Sequence, residues 1–422
     1  MNINVTSSKR DAAISRCVEN LESPNPRLRS QAAEDLGKLN AQEAVPELVE
    51  HLQDDVNTYV RSASAEALGR IGDVRAIFPL MDALRDTCSF VRRAAAIALG
   101  QMQAKEAQGA LLNALDDTNF YVRRAAINAI GKLDIPDLGS MLIPFLETPD
   151  PRIRRTTAIA LRRLNTREAI PTMIELLEDY LLAPNHRDLP VVKTLVVALG
   201  ELEAREAVPV LERVTRGYVG VRSLTAKALG KIGDPQAAQA LIDALQDDKS
   251  KNLQLASLRS LGKLGYRDAI PAVRPFLNAD DPRLRRTAVL TLGALQDRDV
   301  TPKLLEMAKG DESPLVRPAA VEALGQVGDA EMIEKLLPFL DDGNAYLRAA
   351  LAHALSRLDG DTPRVQEALQ TLKEDKVRHV AIAAQRALDQ CADVADEDAE
   401  EDSCPEPEKQ HVSWLRRFLG RD

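Results

Sequence analysis

The stretch Tyr59-Val-Arg-Ser-Ala-Ser-Ala-Glu-Ala-Leu-Gly69 decides the fold, because copies of it return at a nearly fixed interval along the chain. Close copies are residues 90–100 and 121–131, and weaker copies end at glycines 37, 230, 293 and 325. The first four closing glycines, at positions 37, 69, 100 and 131, lie 32, 31 and 31 residues apart. A fixed period of this length is typical of a solenoid, in which each repeat packs only against its neighbours.

Each repeat is predicted to form two helices. Val45, Leu48 and Leu52 lie at helical spacing and form one apolar stripe. The Asp and Asn residues of 53–57 favour a turn, and the quoted stretch then supplies a second helix that closes with glycine near its end. Its small alanines let neighbouring helices approach closely. The sequence therefore predicts an all-α fold, a right-handed α-solenoid of about twelve two-helix repeats.

The predicted organisation has four segments. They are a flexible N-terminus at 1–10, the repeat array at 11–392, an acidic disordered linker at 393–411 and a short amphipathic helix at 412–420. The linker prediction rests on residues 393–408, which hold nine acidic and no basic side chains and are too charged to fold.

The short C-terminal helix is predicted to have one apolar and one basic side. Its candidate docking residues are Trp414, Leu415, Arg416, Arg417 and Phe418. The helix either folds back on the array, docks a partner protein or touches an anionic membrane surface. The membrane is the least favoured of the three, because one short helix is a weak anchor.

Composition excludes several classes of protein. The net charge of −9 leaves residues 1–392 almost neutral once the C-terminal acidic and basic segments are subtracted, which argues against a nucleic-acid partner. The four cysteines lie far apart in sequence, so neither a zinc site nor a disulfide framework is predicted. With no signal peptide or membrane span in the sequence, we expect a cytoplasmic protein.

One arginine per repeat stands at the start of the second helix. These arginines are residues 29, 61, 92, 123, 154, 222, 285, 317, 348 and 378. An aspartate in the preceding turn, such as Asp54 before Arg61, is predicted to form a charge-assisted bridge that joins the two helices of one repeat.

The position that follows each of these arginines is rotated away from the packing face. It is basic in four consecutive repeats, and aromatic residues precede the arginine in three consecutive repeats. Cationic and aromatic surface is typical of binding hot spots. We therefore predict a partner-binding groove on the concave face, although the aromatic rings could instead fill gaps between repeats. The groove residues are Tyr59, Phe90, Arg93, Ile97, Tyr121, Arg124, Arg155, Ile159 and Lys193.

Residues 179–190 widen the link between the two helices of the sixth repeat. This insertion holds Tyr180, His186, Arg187 and Asp188, which either act as acid or base groups or form an ordinary polar loop. Elsewhere the chain shows no phosphate-binding loop, nucleophile elbow or paired metal ligands, so no catalytic residue and no metal site is predicted.

Two copies of the repeat carry a family resemblance, namely Asp86…Val91-Arg92…Ala98-Leu99-Gly100 and Asp116…Val122-Arg123…Ala129-Ile130-Gly131. The unit resembles the short HEAT-type repeat, in particular the variety named after phycobilisome lyases, over about residues 11–392. The resemblance implies the fold but leaves function open, since such repeats occur in bilin attachment enzymes, protein scaffolds, a di-iron hydroxylase and DNA-repair glycosylases.

Two functions follow from these observations. The first prediction is a non-enzymatic adapter without a cofactor, whose concave groove binds a protein partner and whose C-terminal helix makes a possible second contact. The alternative, implied by the resemblance, is a phycobilin lyase or bilin chaperone that attaches a tetrapyrrole to phycobiliprotein cysteines. A bilin would then be bound, with its propionates near Arg93, Arg124 or Arg155 and its rings near Tyr59 and Phe90.

Overall fold

The computed structural model describes residues 2–183, 185–217, 220–360 and 362–400, and within them it contains helices and connecting turns but no strand. The α-helices are α1 (Asn2–Leu21), α2 (Pro26–Lys38), α3 (Val45–Asp54), α4 (Thr58–Ile71), α5 (Ile77–Ala83), α6 (Ser89–Met102), α7 (Gln108–Asn113), α8 (Phe120–Ile130), α9 (Pro151–Arg163), α10 (Ile170–Leu182), α11 (Leu189–Glu201), α12 (Val208–Gly217), α13 (Arg222–Ile232), α14 (Ala238–Leu245), α15 (Lys251–Leu264), α16 (Ile270–Val273), α17 (Pro282–Ala294), α18 (Thr301–Gly310), α19 (Val316–Val327), α20 (Glu331–Leu336), α21 (Ala345–Asp359), α22 (Pro363–Lys373) and α23 (Arg378–Glu400).

Short 3-10 helices precede or extend many of these elements. They are Gln42–Ala44, Val74–Ala76, Lys105–Ala107, Ala114–Asp116, Pro136–Leu138, Ser140–Leu146, Arg167–Ala169, His186–Asp188, Arg205–Ala207, Pro235–Ala237, Arg267–Ala269, Arg274–Asn278, Arg298–Val300 and Leu337–Asp341. In the fifth repeat, Ser140–Leu146 replaces the first α-helix, because Pro144 lies inside it and cannot donate a backbone hydrogen bond.

The chain divides into two compact units, Met1–Val210 and Leu211–Asp422. In the first unit, α2, α4, α6, α8, α9 and α11 form one layer in which each helix packs against the next. In the second unit, α13, α15, α17, α19, α21 and α23 pack in the same successive way. The first helix of a repeat lies against its second helix, as α3 does on α4 and α18 on α19. These stacked helix pairs confirm the predicted α-solenoid.

The recurring glycines allow the second helices to pack closely. Gly100 lies inside α6, and a Cβ atom built on it would stand 2.7 Å from the Cα atom of Ala129 in α8. Gly69 lies inside α4 and would meet Ala98 in the same way at 2.6 Å. The sequence placed these glycines at helix ends, but in α4 that role belongs to Gly72, whose φ of 71° is left-handed.

The recurring position of the repeat arginines reflects contacts between repeats, which corrects the prediction of a bridge within each repeat. Arg61 donates from Nε and NH2 to the carboxylate of Asp86, one repeat further on, at 2.7 and 2.9 Å. Its NH1 group donates to the backbone carbonyl of Asp55 in the preceding turn. The carboxylate therefore joins successive repeats, whereas the preceding turn contributes only backbone oxygens. We call this series of bridges the Arg–Asp ladder.

The Asp86 carboxylate of the ladder is held in its charged form. Burial raises the pKa of Asp86, but hydrogen bonds from Arg61 and from the Cys88 amide outweigh burial, so that the pKa lies below its ordinary value. Only 12% of each side chain in the Arg61–Asp86 pair is exposed. Because the pair is largely covered by protein, removing one partner alone would leave a poorly solvated charge without its counterion.

Both ends of the array differ from the predicted boundaries. Backbone helix begins at Asn2, within the segment predicted to be flexible, and Arg10 of this helix donates to the carbonyl oxygens of Leu39 and Asn40. At the other end, α23 continues to Glu400, eight residues into the predicted linker, where alanine and glutamate favour helix. The predicted docking residues Trp414 to Phe418 lie outside the described residues.

Candidate functional site

The second helices of the third, fourth and fifth repeats, α6, α8 and α9, are consecutive neighbours in the first unit. The side chains of Asn119 and Asp150 cap α8 and α9, and the Asp86 carbonyl in the turn before α6 binds the ladder arginine Arg92. The three helices therefore begin at equivalent repeat positions and present equivalent residues on the same side. The residue that follows a ladder arginine is rotated by about 100° from it around the helix. The side chains at these positions, and one turn further on, therefore line one surface.

An open depression of about 510 Å³ lies across α6, α8 and α9. It is lined by Arg93, Ile97, Tyr121, Arg124, Ala125, Asn128, Thr156 and Ile159. Five of the nine predicted groove residues thus come together here, and the small side chains of Ala125 and Thr156 leave room between them. Two guanidinium groups, one phenol ring and two isoleucines make the lining both cationic and apolar.

Aromatic and cationic groups cluster at one edge of this depression. The rings of Phe120 and Tyr121 meet edge to face with centroids 5.1 Å apart. The guanidinium of Arg124 lies 5.8 Å from each ring centroid, and that of Arg152 lies 4.2 Å from the centroid of Phe120. These distances lie in the range of cation–π attraction, which holds the rings and the charges together.

The sequence interpretation missed Phe120, Arg152, Asn128 and Thr156. For Arg152 a signal was present: it stands two residues before Arg154, which is the position that Tyr121 occupies relative to its own ladder arginine. In the fifth repeat a cation thus replaces the aromatic ring. Aligning the repeats by position, rather than by residue type, would have included it.

Four predicted groove residues lie outside the lining of the depression. Tyr59 and Phe90 stand in the first turns of α4 and α6 and are 72% and 60% exposed, so these rings do not fill gaps between repeats. Arg155 is exposed on α9, and Lys193 is half-buried on α11.

The predicted insertion is shorter than the sequence indicated. Helix α10 continues to Leu182, so Tyr180 belongs to this helix, where it is only 5% exposed beneath the guanidinium of Arg154. Helical spacing from the buried Met173, Leu176 and Leu177 explains why its ring packs inward.

The other insertion residues lie in the 3-10 helix His186–Asp188. Asp188 places a carboxylate oxygen 4.0 Å from an Arg154 nitrogen, whereas Arg187 is exposed and donates its backbone N–H to Asn185. Among the described residues, no group of three or more His, Cys, Asp or Glu side chains has the arrangement of a metal site. The described helices also include none that is long and apolar enough to cross a membrane.

Stacked helix pairs bridged from repeat to repeat define the class of helical-repeat proteins called α-solenoids. Within that class the sequence matches the HEAT repeats family throughout the array. The matched segments are residues 14–100, 53–121, 79–140, 108–182, 139–217, 181–254, 240–324 and 301–389. The chain belongs to the HEAT-repeat family.

Several relatives with curated names come from bilin metabolism. The chain is 31% identical over 159 residues to the phycocyanobilin lyase subunit alpha of Nostoc sp., covering 33% of this chain and 58% of the relative. It is 29% identical over 147 residues to the bilin biosynthesis protein PecE of Mastigocladus laminosus, covering 35% of this chain and 54% of the relative. The chain thus spans just over half the length of these relatives.

A solved structure shows the same fold on a larger scale. The crystal structure of importin beta superposes with a TM-score of 0.62 over 90% of this chain and 62% of that chain, at 13% identity. At this identity the similarity concerns the fold alone.

The relatives overturn the first functional prediction. Both curated proteins are named for bilin chemistry, which the non-enzymatic adapter did not include, and both favour the alternative interpretation. The prediction of a non-enzymatic adapter was wrong because it relied on the scarcity of catalytic motifs, and a fold that hosts many functions does not reveal its activity through such motifs.

Proposed function

We propose that this chain is a bilin-handling protein of the phycobilin lyase type, which holds an open-chain tetrapyrrole for attachment to a phycobiliprotein cysteine. The observation that carries the proposal is its similarity to phycocyanobilin lyase subunit alpha over a third of the chain. Because that relative is named as a subunit, we further propose that this chain acts together with a partner protein.

The depression across α6, α8 and α9 is the proposed bilin site. Guanidinium groups bind carboxylates through paired hydrogen bonds, so Arg93 and Arg124 suit the two propionates of a bilin. The ring of Tyr121 and the side chains of Ile97 and Ile159 offer apolar surface to the pyrrole rings.

The proposed attachment reaction is the addition of a cysteine thiol to an exocyclic double bond of the bilin. A C–S bond forms at one carbon and the proton lost by the thiol ends on the chromophore, so the reaction needs no oxidant or reductant. The part of this chain is to fix the bilin by its propionates, which positions the reacting carbon relative to the thiol.

Absorption spectroscopy tests the bilin site. Purified protein mixed with phycocyanobilin should show a shifted visible band and an induced circular dichroism signal, because a held tetrapyrrole loses its freedom to coil. Arg93→Glu together with Arg124→Glu should weaken binding by about tenfold or more, since each exchange replaces attraction for a propionate with repulsion. Arg155→Glu is the matched control, because this exposed arginine on α9 does not line the depression.

Two results would count against the proposal. An unchanged bilin spectrum at high protein concentration would exclude a bilin site altogether. An equal loss in Arg155→Glu and in the double variant would leave bilin binding intact as an activity but would remove the depression as its location. Covalent transfer is then measured with an apo-phycocyanin subunit, by bilin fluorescence on a denaturing gel.

A further inference from the structure

Two consecutive repeats within the array carry the ladder arginine without its bridge. In five bridges the arginine makes a two-point contact through Nε and NH2 to one carboxylate, and in two bridges it makes a single contact. The two-point pairs are Arg29–Asp55, Arg61–Asp86, Arg92–Asp117, Arg285–Asp311 and Arg348–Asp375, and the single-contact pairs are Arg222–Asp247 and Arg317–Asp342. Arg123 and Arg154 have no such pairing.

Arg123 is held in the same way as its paired neighbour. Its NH1 group donates to the carbonyl oxygens of Asp117 and Thr118 at 2.8 and 3.0 Å. Arg92 uses NH1 for the equivalent two carbonyls one repeat earlier, at 2.8 and 3.2 Å. The backbone therefore fixes both guanidinium groups by the same edge, which leaves the Nε and NH2 edge of Arg123 facing the place of a ladder carboxylate.

The residue that should supply this carboxylate is Thr148. It lies 25 residues after Arg123, the same spacing that separates Arg92 from Asp117. The hydroxyl of Thr148 donates to the carbonyl of Phe145 at 3.1 Å. The nearby Asp150 caps α9 and is bound by Arg152, so its carboxylate is already engaged. Within the described part of the chain, Arg123 forms no ion pair.

Arg154 shows the second interruption. Its Nε atom is buried and has no hydrogen-bond partner among the described residues. The position 25 residues onward is Asp179, which lies inside α10, and the carboxylate within ion-pair distance of Arg154 belongs to Asp188 at 4.0 Å. This distance is beyond a hydrogen bond. Two adjacent cations of the ladder are thus left without a well-bonded anion.

We propose that the Nε and NH2 edge of Arg123 is a binding site for a carboxylate supplied by a ligand or a partner protein. The five two-point bridges show the chemistry that this edge accepts, a planar group with two oxygens. The neutral Thr148 cannot replace it. The inference is independent of the proposed bilin-handling function, because it rests on the ladder alone.

The variant Thr148→Asp tests the site, because its new carboxylate should bind Arg123 as the other ladder aspartates bind their arginines and so exclude an added carboxylate. The probe is sodium propionate, titrated at constant ionic strength while the arginine Nε–H signals are followed by NMR, with Arg123→Lys identifying the signal of Arg123. In the unchanged protein this signal should shift in a saturable manner. Thr148→Asp should abolish the shift and raise the midpoint temperature of unfolding, whereas the uncharged Thr148→Asn should retain the shift. A signal that does not respond, or that responds equally in Thr148→Asp, would overturn the proposal.

A second pair of titrations identifies the source of the carboxylate. If the site takes a bilin propionate, Thr148→Asp should weaken binding of phycocyanobilin by about tenfold and should not affect its dimethyl ester. If the site takes an aspartate or glutamate of a partner, both bilins should bind Thr148→Asp unchanged while propionate binding is lost. A protein that binds no bilin at all would refute the proposed function but leave the propionate result standing.

Discussion

Two neighbouring parts of the first unit contain the same arginine and use it differently. In the second and third repeats, Arg61 and Arg92 are bridged to aspartates one repeat further on. In the fourth and fifth repeats, Arg123 and Arg154 keep the same place but lack that bridge. The role of Arg123 is therefore decided by the residue 25 positions further on, where Thr148 stands in place of an aspartate. For Arg154 the cause is different, because Asp179 at that spacing lies inside α10 and the carboxylate near Arg154 belongs to Asp188 at 4.0 Å.

The close approach of the second helices at the recurring glycine is the same in both parts, and the largest expected effects test this equality. Gly69 faces Ala98, and Gly131 faces Ala160, and an added Cβ would approach the Cα atoms at 2.6 and 2.7 Å. Gly69→Ala and Gly131→Ala should each cost about 2 to 3 kcal/mol, because neighbouring helices must move apart. Urea unfolding followed by circular dichroism measures the loss.

Gly109→Ala is the control for this pair. Gly109 lies in α7, and an added Cβ would meet nothing within 4 Å, so the exchange should be neutral or slightly stabilising. Clearly unequal costs for Gly69→Ala and Gly131→Ala would show that the two parts differ in packing as well as in the ladder.

Replacing the aspartate of an intact bridge with threonine, the residue that Arg123 has at the equivalent position, should lower the free energy of unfolding by less than the glycine exchanges do. Asp117→Thr leaves Arg92, whose side chain is 15% exposed, without its carboxylate, and should cost about 2 kcal/mol. The adjacent Asp116 is exposed and binds no ladder arginine, so Asp116→Thr should change stability by less than about 0.5 kcal/mol. If both exchanges had the same small effect, the ladder would contribute little and its interruption would carry no meaning.

The sequence predicted the fold well because the same structural signals recur in every repeat. Period, apolar stripes and closing glycines all indicated stacked helix pairs. The direction of the arginine bridges was predicted wrongly. Asp55 and Asp86 occupy the same position in successive repeats, one before and one after Arg61, so the sequence does not show which carboxylate Arg61 binds. The stacking of the repeats places the carboxylate of Asp86 against it.

The candidate site was predicted in part for a similar reason. Arg93 and Arg124 share a repeat position and Tyr121 stands one helical turn before Arg124, so the periodicity brings the three side chains together. The length of α10 could not be predicted, because Tyr180 reads as a polar loop residue until the buried face of that helix is known. The missing carboxylate partner of Arg123 could not be predicted, because the residue that should supply it, Thr148, belongs to the next repeat.

Acid unfolding should show the smallest difference between the two parts. Burial raises the pKa of Asp117, but hydrogen bonds from Arg92 and the Asn119 amide outweigh it, and the net pKa lies below the ordinary value. A carboxyl whose folded pKa is depressed contributes stability above its unfolded pKa of about 4, and this contribution is lost as the pH falls through the folded pKa. The unchanged protein should therefore lose stability more steeply below about pH 4 than Asp117→Thr does.

The loss on acidification should be smaller than the cost of Asp117→Thr itself, because a protonated carboxyl still accepts a hydrogen bond from Arg92. Urea midpoints measured between pH 6 and about pH 3 give the two slopes. Thr148→Asp should move the slope in the opposite direction, since it adds a carboxylate beside Arg123 and with it one more group of depressed pKa. Identical slopes in all three proteins would mean that the ladder carboxylates titrate as free groups do, and the contrast between bridged and unbridged arginines would then have no energetic basis.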